Sequence, residues 1–243
     1  MMIGNIMDKF NLPNLSGTLA DFLDRVNNGQ PLKIGGRRSA DTNTPLPFDH
    51  LQVWTKVQLQ NHSYHAPYCI LPPQTINALA LSEAWTSGHC NIVLINIDNN
   101  KIWPHSGLEG ISSSCMSVSS YWFPNLVSGH HIAQLHLIFH AVPSRRSPYS
   151  PGTDLFLVYA QCFDIVPQLP PTGQGQSNQK GLYLEPSTGM HLLKCTHQSD
   201  GLIMGDVIPL AQLQTLVDLV PRFRKQVNKQ LAKETVLEYS SEF

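Results

Sequence analysis

Residues 132–142 read IAQLHLIFHAV and residues 155–166 read LFLVYAQCFDIV. These two stretches decide the fold. In the first, Ala133, Leu135, Leu137 and Phe139 alternate with less apolar residues, so all four are expected on one face of a strand. The second is a long apolar run rich in β-branched and aromatic residues, which predicts another strand. Between them, Pro143–Gly152 is rich in turn residues and carries Arg145-Arg146.

Working outward, Asn91–Asp98 (NIVLINID) predicts a buried strand, followed by an Asn99-Asn100 turn. Residues 51–60 (LQVWTKVQLQ) predict one half-exposed strand, with Leu51, Val53, Thr55, Val57 and Leu59 on one face. Met190–His197 predicts a strand that ends in a Ser199-Asp200-Gly201 turn. Val207-Ile208 precedes Pro209, and Leu213, Leu216, Val217 and Val220 fit a helix, whereas Leu216–Val220 equally fits a short buried strand. Pro167–Lys180 is a Pro/Gly/Gln/Asn/Ser-rich loop. No internal repeat is visible.

At the N-terminus, residues 1–17 read as loosely ordered. Leu19, Phe22, Leu23 and Val26 have helical spacing, with Ser16 or Thr18 as the cap and Asn28-Gly29 as the stop. Residues 30–48 read as linker. Arg222–Leu237 predicts a basic helix. The expected fold is therefore α+β: a mostly antiparallel sheet or small barrel, a few short helices and a basic C-terminal helix. The expected division is a segment over 1–48, a domain over 49–221 and the helix over 222–243. A doubly wound sheet is excluded, because no helices of 10–15 residues regularly separate the strands.

The 243 residues carry a formal net charge of −1 and are only 14% charged. That balance excludes a uniformly basic nucleic-acid coat protein and an acidic disordered tail. Five widely spaced cysteines make no disulfide framework and no CxxC pair, which suits a reducing, intracellular compartment. There is no cationic leader before an apolar core, and no apolar run approaches the ~20 residues of a membrane span. Neither phosphate-binding glycine loop occurs, nor does GxSxG or HExxH.

His130, His131, His136 and His140 form the densest histidine cluster. His136 and His140, four apart on a strand, stand ~13 Å apart and cannot share a metal ion. Asp98, Asp164 and Asp206 sit beside turns or proline, where Asp is common, so no catalytic carboxylate set emerges. A Cys–His dyad is open to any chain of this composition and has no specific signal. The expectation is no catalytic residue, no metal site and no cofactor. Arg222, Arg224, Lys225, Lys229 and Lys233 place five positive charges within twelve residues, the spacing of a phosphate-contacting helix face. With Arg145 and Arg146 they are the candidate nucleic-acid contacts. Exposed Trp54 and Trp103 are candidate protein contacts.

Five phrases carry a resemblance: Pro45–Gln60, Leu71–Ala78, Val93–Gly110, Phe156–Gln168 and Met204–Phe223. In wording and order they resemble the uncharacterised C-terminal domain of fungal Plavaka-type transposase-like proteins, of the Kyakuja–Dileera–Zisupton group. Such proteins place their transposition chemistry in an RNase H-like region upstream, which this sequence lacks. The resemblance implies a non-catalytic part of a mobile-element protein, DNA or transposase-like regions as partners, and a nuclear location. It assigns no catalytic residue.

The chain departs from the family pattern at residues 111–129 (ISSSCMSVSSYWFPNLVSG), a segment with seven serines and no charge. Deleting it restores the pattern SGLxGH followed by QLxLI. Its codons can accommodate a GT donor, a branch point and an AG acceptor, so a retained intron is expected there. A second departure is His136 and His140, where the family tends to carry arginine.

Overall fold

A computed structural model of the chain describes residues 1–32, 45–62, 68–79, 89–96, 130–142, 154–165, 193–195 and 205–219. Two helices, α1 (Ile3–Phe10) and α2 (Leu15–Asn27), open the chain. Among the described residues ten strands follow: β1 (His50–Trp54), β2 (Lys56–Leu59), β3 (Gln74–Leu79), β4 (His89–Cys90), β5 (Ile92–Asn96), β6 (His130–Val142), β7 (Phe156–Ile165), β8 (Leu193–Cys195), β9 (Gly205–Pro209) and β10 (Leu213–Leu216).

The 13-residue β6 and the 10-residue β7 pair antiparallel and form the spine of a seven-stranded sheet. Along one edge of β6, β5 pairs with its first half and β1 with its second. β10 extends the sheet beyond β5, and β9 and β8 pair with β7. β2, β3 and β4 form a separate three-stranded sheet. Among the described residues all pairings are antiparallel, as expected, but the sheet is open and does not close into a barrel.

The large sheet is covered on both faces. On one, α1 and α2 pack Ile6, Leu15, Leu19 and Phe22 against Leu51, Leu137, Phe139, Leu157, Tyr159 and Val207. On the other, the small sheet packs Ile76 and Ala78 against Val93, Ile95, Leu135, Ile138, Val158 and Ile208. Burial of these side chains is the main stabilising term, ~1.5–3 kcal/mol for each large one.

Several sequence expectations need correction. Residues 1–17 are not loose. Ile3, Ile6, Met7 and Phe10 have helical spacing and face the core, and α1 ends at Asn11 in the left-handed conformation (φ 52°). Met1 is pinned to β1, since Leu51 N–H donates to Met1 O and the Met1 ammonium donates to Leu51 O, each at 2.8 Å. α2 starts earlier than its periodicity suggested and ends as expected at Asn28-Gly29, with Gly29 at φ 60°. The expected cap is not formed: the Thr18 hydroxyl donates back to Asn14 O at 2.7 Å.

Residues 51–60 are two strands in different sheets. A break at Thr55 reverses the alternation: Leu51 and Val53 face the helices, whereas Val57 and Leu59 face the core under the small sheet. Residues 213–216 are a strand, so the helical reading does not hold there, and the strand lies earlier than the expected Leu216–Val220. Both β3 and β4 escaped the sequence reading. Prolines 143 and 167, the loops that follow them and the basic run from Arg222 lie outside the described residues.

Candidate functional site

The expected single-faced alternation in β6 does not hold. Leu135 pairs with Ala160 and Leu137 with Tyr159, so His136 is an extra, unpaired residue: a β-bulge. Ala133 and Leu135 therefore face the small sheet, whereas Leu137, Phe139 and Ala141 face the helices. Ile138, only 1% exposed, takes over the small-sheet face beyond the bulge.

The bulge re-aims the His136 ring toward two other strands. Its Nδ1 lies 4.0 Å from Cys90 Sγ on β4, and its Nε2 lies 3.3 Å from Gln161 Oε1 on β7. The Tyr159 ring meets it edge-on, with centroids 6.4 Å apart. A glutamine oxygen only accepts, so Nε2 carries the ring proton and Nδ1 presents its lone pair to Cys90. The Cys90 sulfur also lies 3.9 Å from Leu79 O. Asn91, next to Cys90, holds β4 in place: its Oδ1 accepts from Asn77 N (2.6 Å) and Asn77 Nδ2 (3.1 Å), and its carbonyl accepts from Leu135 N (2.9 Å).

The order thiol, imidazole, amide has the outline of a nucleophile, a base and an orienting group. The electrostatics oppose that use. Burial pushes the Cys90 thiol up to about 12. Burial also pulls the His136 imidazole down to about 4, against a smaller upward effect of its Gln161 hydrogen bond. Both groups are neutral near pH 7, whereas a cysteine nucleophile needs a lowered thiol pKa. Cys162 is likewise raised, first by burial and then by the negative charges of Asp206 and Asp164.

A second cluster lies on the small-sheet face of β1, β6 and β7. Phe156, 50% exposed, contacts Trp54 (centroids 5.2 Å) and His140 (5.3 Å). The histidines are dispersed: the backbone of His131 pairs with Ile95, His136 occupies the bulge, and His140 stands between Gln52 and Phe156. Among the described residues no three His, Cys, Asp or Glu side chains converge. No helix among them is long and apolar enough to cross a membrane. Arg145, Arg146, Arg222, Arg224, Lys225, Lys229, Lys233, Trp103 and Asp98 lie outside the described residues. Sequence reasoning missed the Cys90–His136–Gln161 cluster because its members come from three strands. The one local signal was Ile138, a strong apolar residue in the otherwise polar series Gln134, His136, His140.

No curated protein and no solved structure matches the chain. A family does, over residues 1–118 and 114–182, and the junction of the two stretches falls inside residues 111–129. Together they span about three-quarters of the chain. The chain thus belongs to the family described as Domain of unknown function (DUF6830).

Proposed function

We propose that the chain is a non-catalytic module of a fungal transposon-derived protein, acting in the nucleus by contact with DNA or with other parts of a transposition complex. The observation that carries the DNA reading is the run Arg222, Arg224, Lys225, Lys229 and Lys233 in a chain that is otherwise poor in charge. Arg145 and Arg146 add a second basic pair. The neutral Cys90–His136 pair supports a non-catalytic role, since neither group is tuned for nucleophilic chemistry.

Electrophoretic binding to duplex DNA at low salt tests the proposal. Retardation is expected for the intact chain and is lost when the five basic residues of 222–233 become alanine. If all five contact phosphate, the slope of log K against log salt flattens by ~4–5 in that variant. An unchanged affinity rejects the DNA reading.

The Trp54–Phe156–His140 cluster favours a second reading, a protein-interaction module, because the half-exposed Phe156 stands on Trp54, which is partly buried against the core rather than exposed as expected, and aromatic residues are common anchors at interfaces. In that case Trp54→Ala and Phe156→Ala abolish capture of the RNase H-like region of a resembled protein and leave DNA retardation intact. Under either reading we infer that residues 111–129 are inserted, as a retained intron. Genomic reads without GT and AG boundaries around their codons would end that idea.

A further inference from the structure

We propose that Cys90 Sγ and His136 Nδ1 form a two-donor site for a soft monovalent cation, of which Cu(I) is the biological member. Three observations on this pair converge. The first is the fixed tautomer. Donation from Nε2 to Gln161 Oε1 leaves Nδ1 unprotonated 4.0 Å from the sulfur, the arrangement in which a metal-ligating histidine is held by a hydrogen bond on its other nitrogen.

The second is distance. Bonds of about 2.3 Å to sulfur and about 2.0 Å to nitrogen span ~3.5 Å at a tetrahedral angle and ~4.3 Å in a line. The observed 4.0 Å lies between trigonal and linear, a low-coordinate geometry that a four-coordinate Zn²⁺ site does not use. A thiolate and an imidazole are also the donors that soft Cu(I) accepts.

The third is charge. On binding, the Cys90 S–H bond breaks, its proton leaves to water, and a sulfur–metal bond forms; no electron is transferred. One thiolate, one neutral imidazole and one monovalent cation sum to zero. A neutral unit is what a buried position tolerates, whereas a divalent ion would leave an uncompensated charge there.

The test uses the full chain, reduced and anaerobic, with one equivalent of Cu(I) delivered from a colorimetric chelator. X-ray absorption at the copper edge is expected to show one sulfur and one nitrogen neighbour. Competition with the chelator is expected to show at least tenfold weaker binding in both Cys90→Ser and His136→Gln, and no change in Cys69→Ser, which alters an exposed thiol. A shell of two sulfurs, or Cu(I) affinity unchanged in Cys90→Ser, overturns the proposal. If a variant fails to fold by circular dichroism, the absorption spectrum of the unaltered chain decides.

Discussion

His136 places an imidazole beside Cys90, Tyr159 and Gln161, and its protonation is linked to folding. The unfolded chain binds a proton on this ring near pH 6.5, the folded chain only near pH 4. Between those values the unfolded state holds more protons, so stability is full above about pH 6.5 and falls as pH drops toward 4. The loss from this ring reaches at most about 3 kcal/mol. Urea unfolding at a series of pH values should show it, and His136→Gln should flatten the profile over that window. Gly205 is a second residue with a defined role. A Cβ there would stand 2.3 Å from the Tyr159 ring, which lies over the glycine on the neighbouring strand. Gly205→Ala is expected to cost about 3 kcal/mol by overpacking. The cost should shrink in a Tyr159→Leu background, as a double-mutant cycle by thermal unfolding would report.

At the scale of elements, the β6 bulge decides which side chains meet which layer. Removing residue 136 altogether would delete the extra residue, keep the pairs Leu135–Ala160 and Leu137–Tyr159, and leave Leu137, Phe139 and Ala141 facing the helices. Deletion of His136 should therefore leave the chain folded by circular dichroism, whereas insertion of one alanine after Leu137 should turn Phe139 and Ala141 to the wrong face and unfold it. The β5–β6 connection behaves in the opposite way. β5 ends at Asn96 and β6 begins at its register partner His130, so residues 97–129 join two adjacent antiparallel strand ends. Deleting 111–129 still leaves 14 connecting residues, more than a hairpin needs. The shortened chain is expected to fold with an unfolding temperature within a few degrees of the parent, since loop length changes closure entropy only slowly, ~0.6 kcal/mol per doubling. Loss of folding would show that the segment is structural. Asn91 is the clasp at the other end of β5, and Asn91→Ala is expected to cost about 2 kcal/mol by freeing Asn77 N–H and loosening β4.

For the whole molecule, the layers are helices, a seven-stranded sheet and a three-stranded sheet. β1 and β2 belong to different sheets although only Thr55 separates them, so the chain passes from one core to the other at that point. The low charge of the sequence has a location too: residues 110–144 hold no Asp, Glu, Lys or Arg. Part of that stretch is β6, an interior strand of the large sheet paired on both edges, where an unpaired charge would be costly. A low-salt DNA-binding measurement belongs at this scale, because it reads the summed charge of the basic run rather than any one contact.

The sequence by itself determined the strands around Ile92–Asn96, Ile132–Val142 and Phe156–Ile165, the stop of α2 at Gly29, and the antiparallel class. In each case the information is local: runs of β-branched and aromatic residues, or a glycine that takes positive φ without cost. α1 was legible as well, in Ile3, Ile6, Met7 and Phe10, but polar turn residues masked that spacing. Only the tertiary structure decided the bulge at His136, the change of sheet at Thr55, and the meeting of Cys90, His136 and Gln161. A bulge or a sheet change shifts the facing of every residue beyond it, yet its mark on the alternation of residue types is as small as the single Ile138 in β6. Which face is inside is set by the layers that pack there, and those layers come from distant parts of the chain.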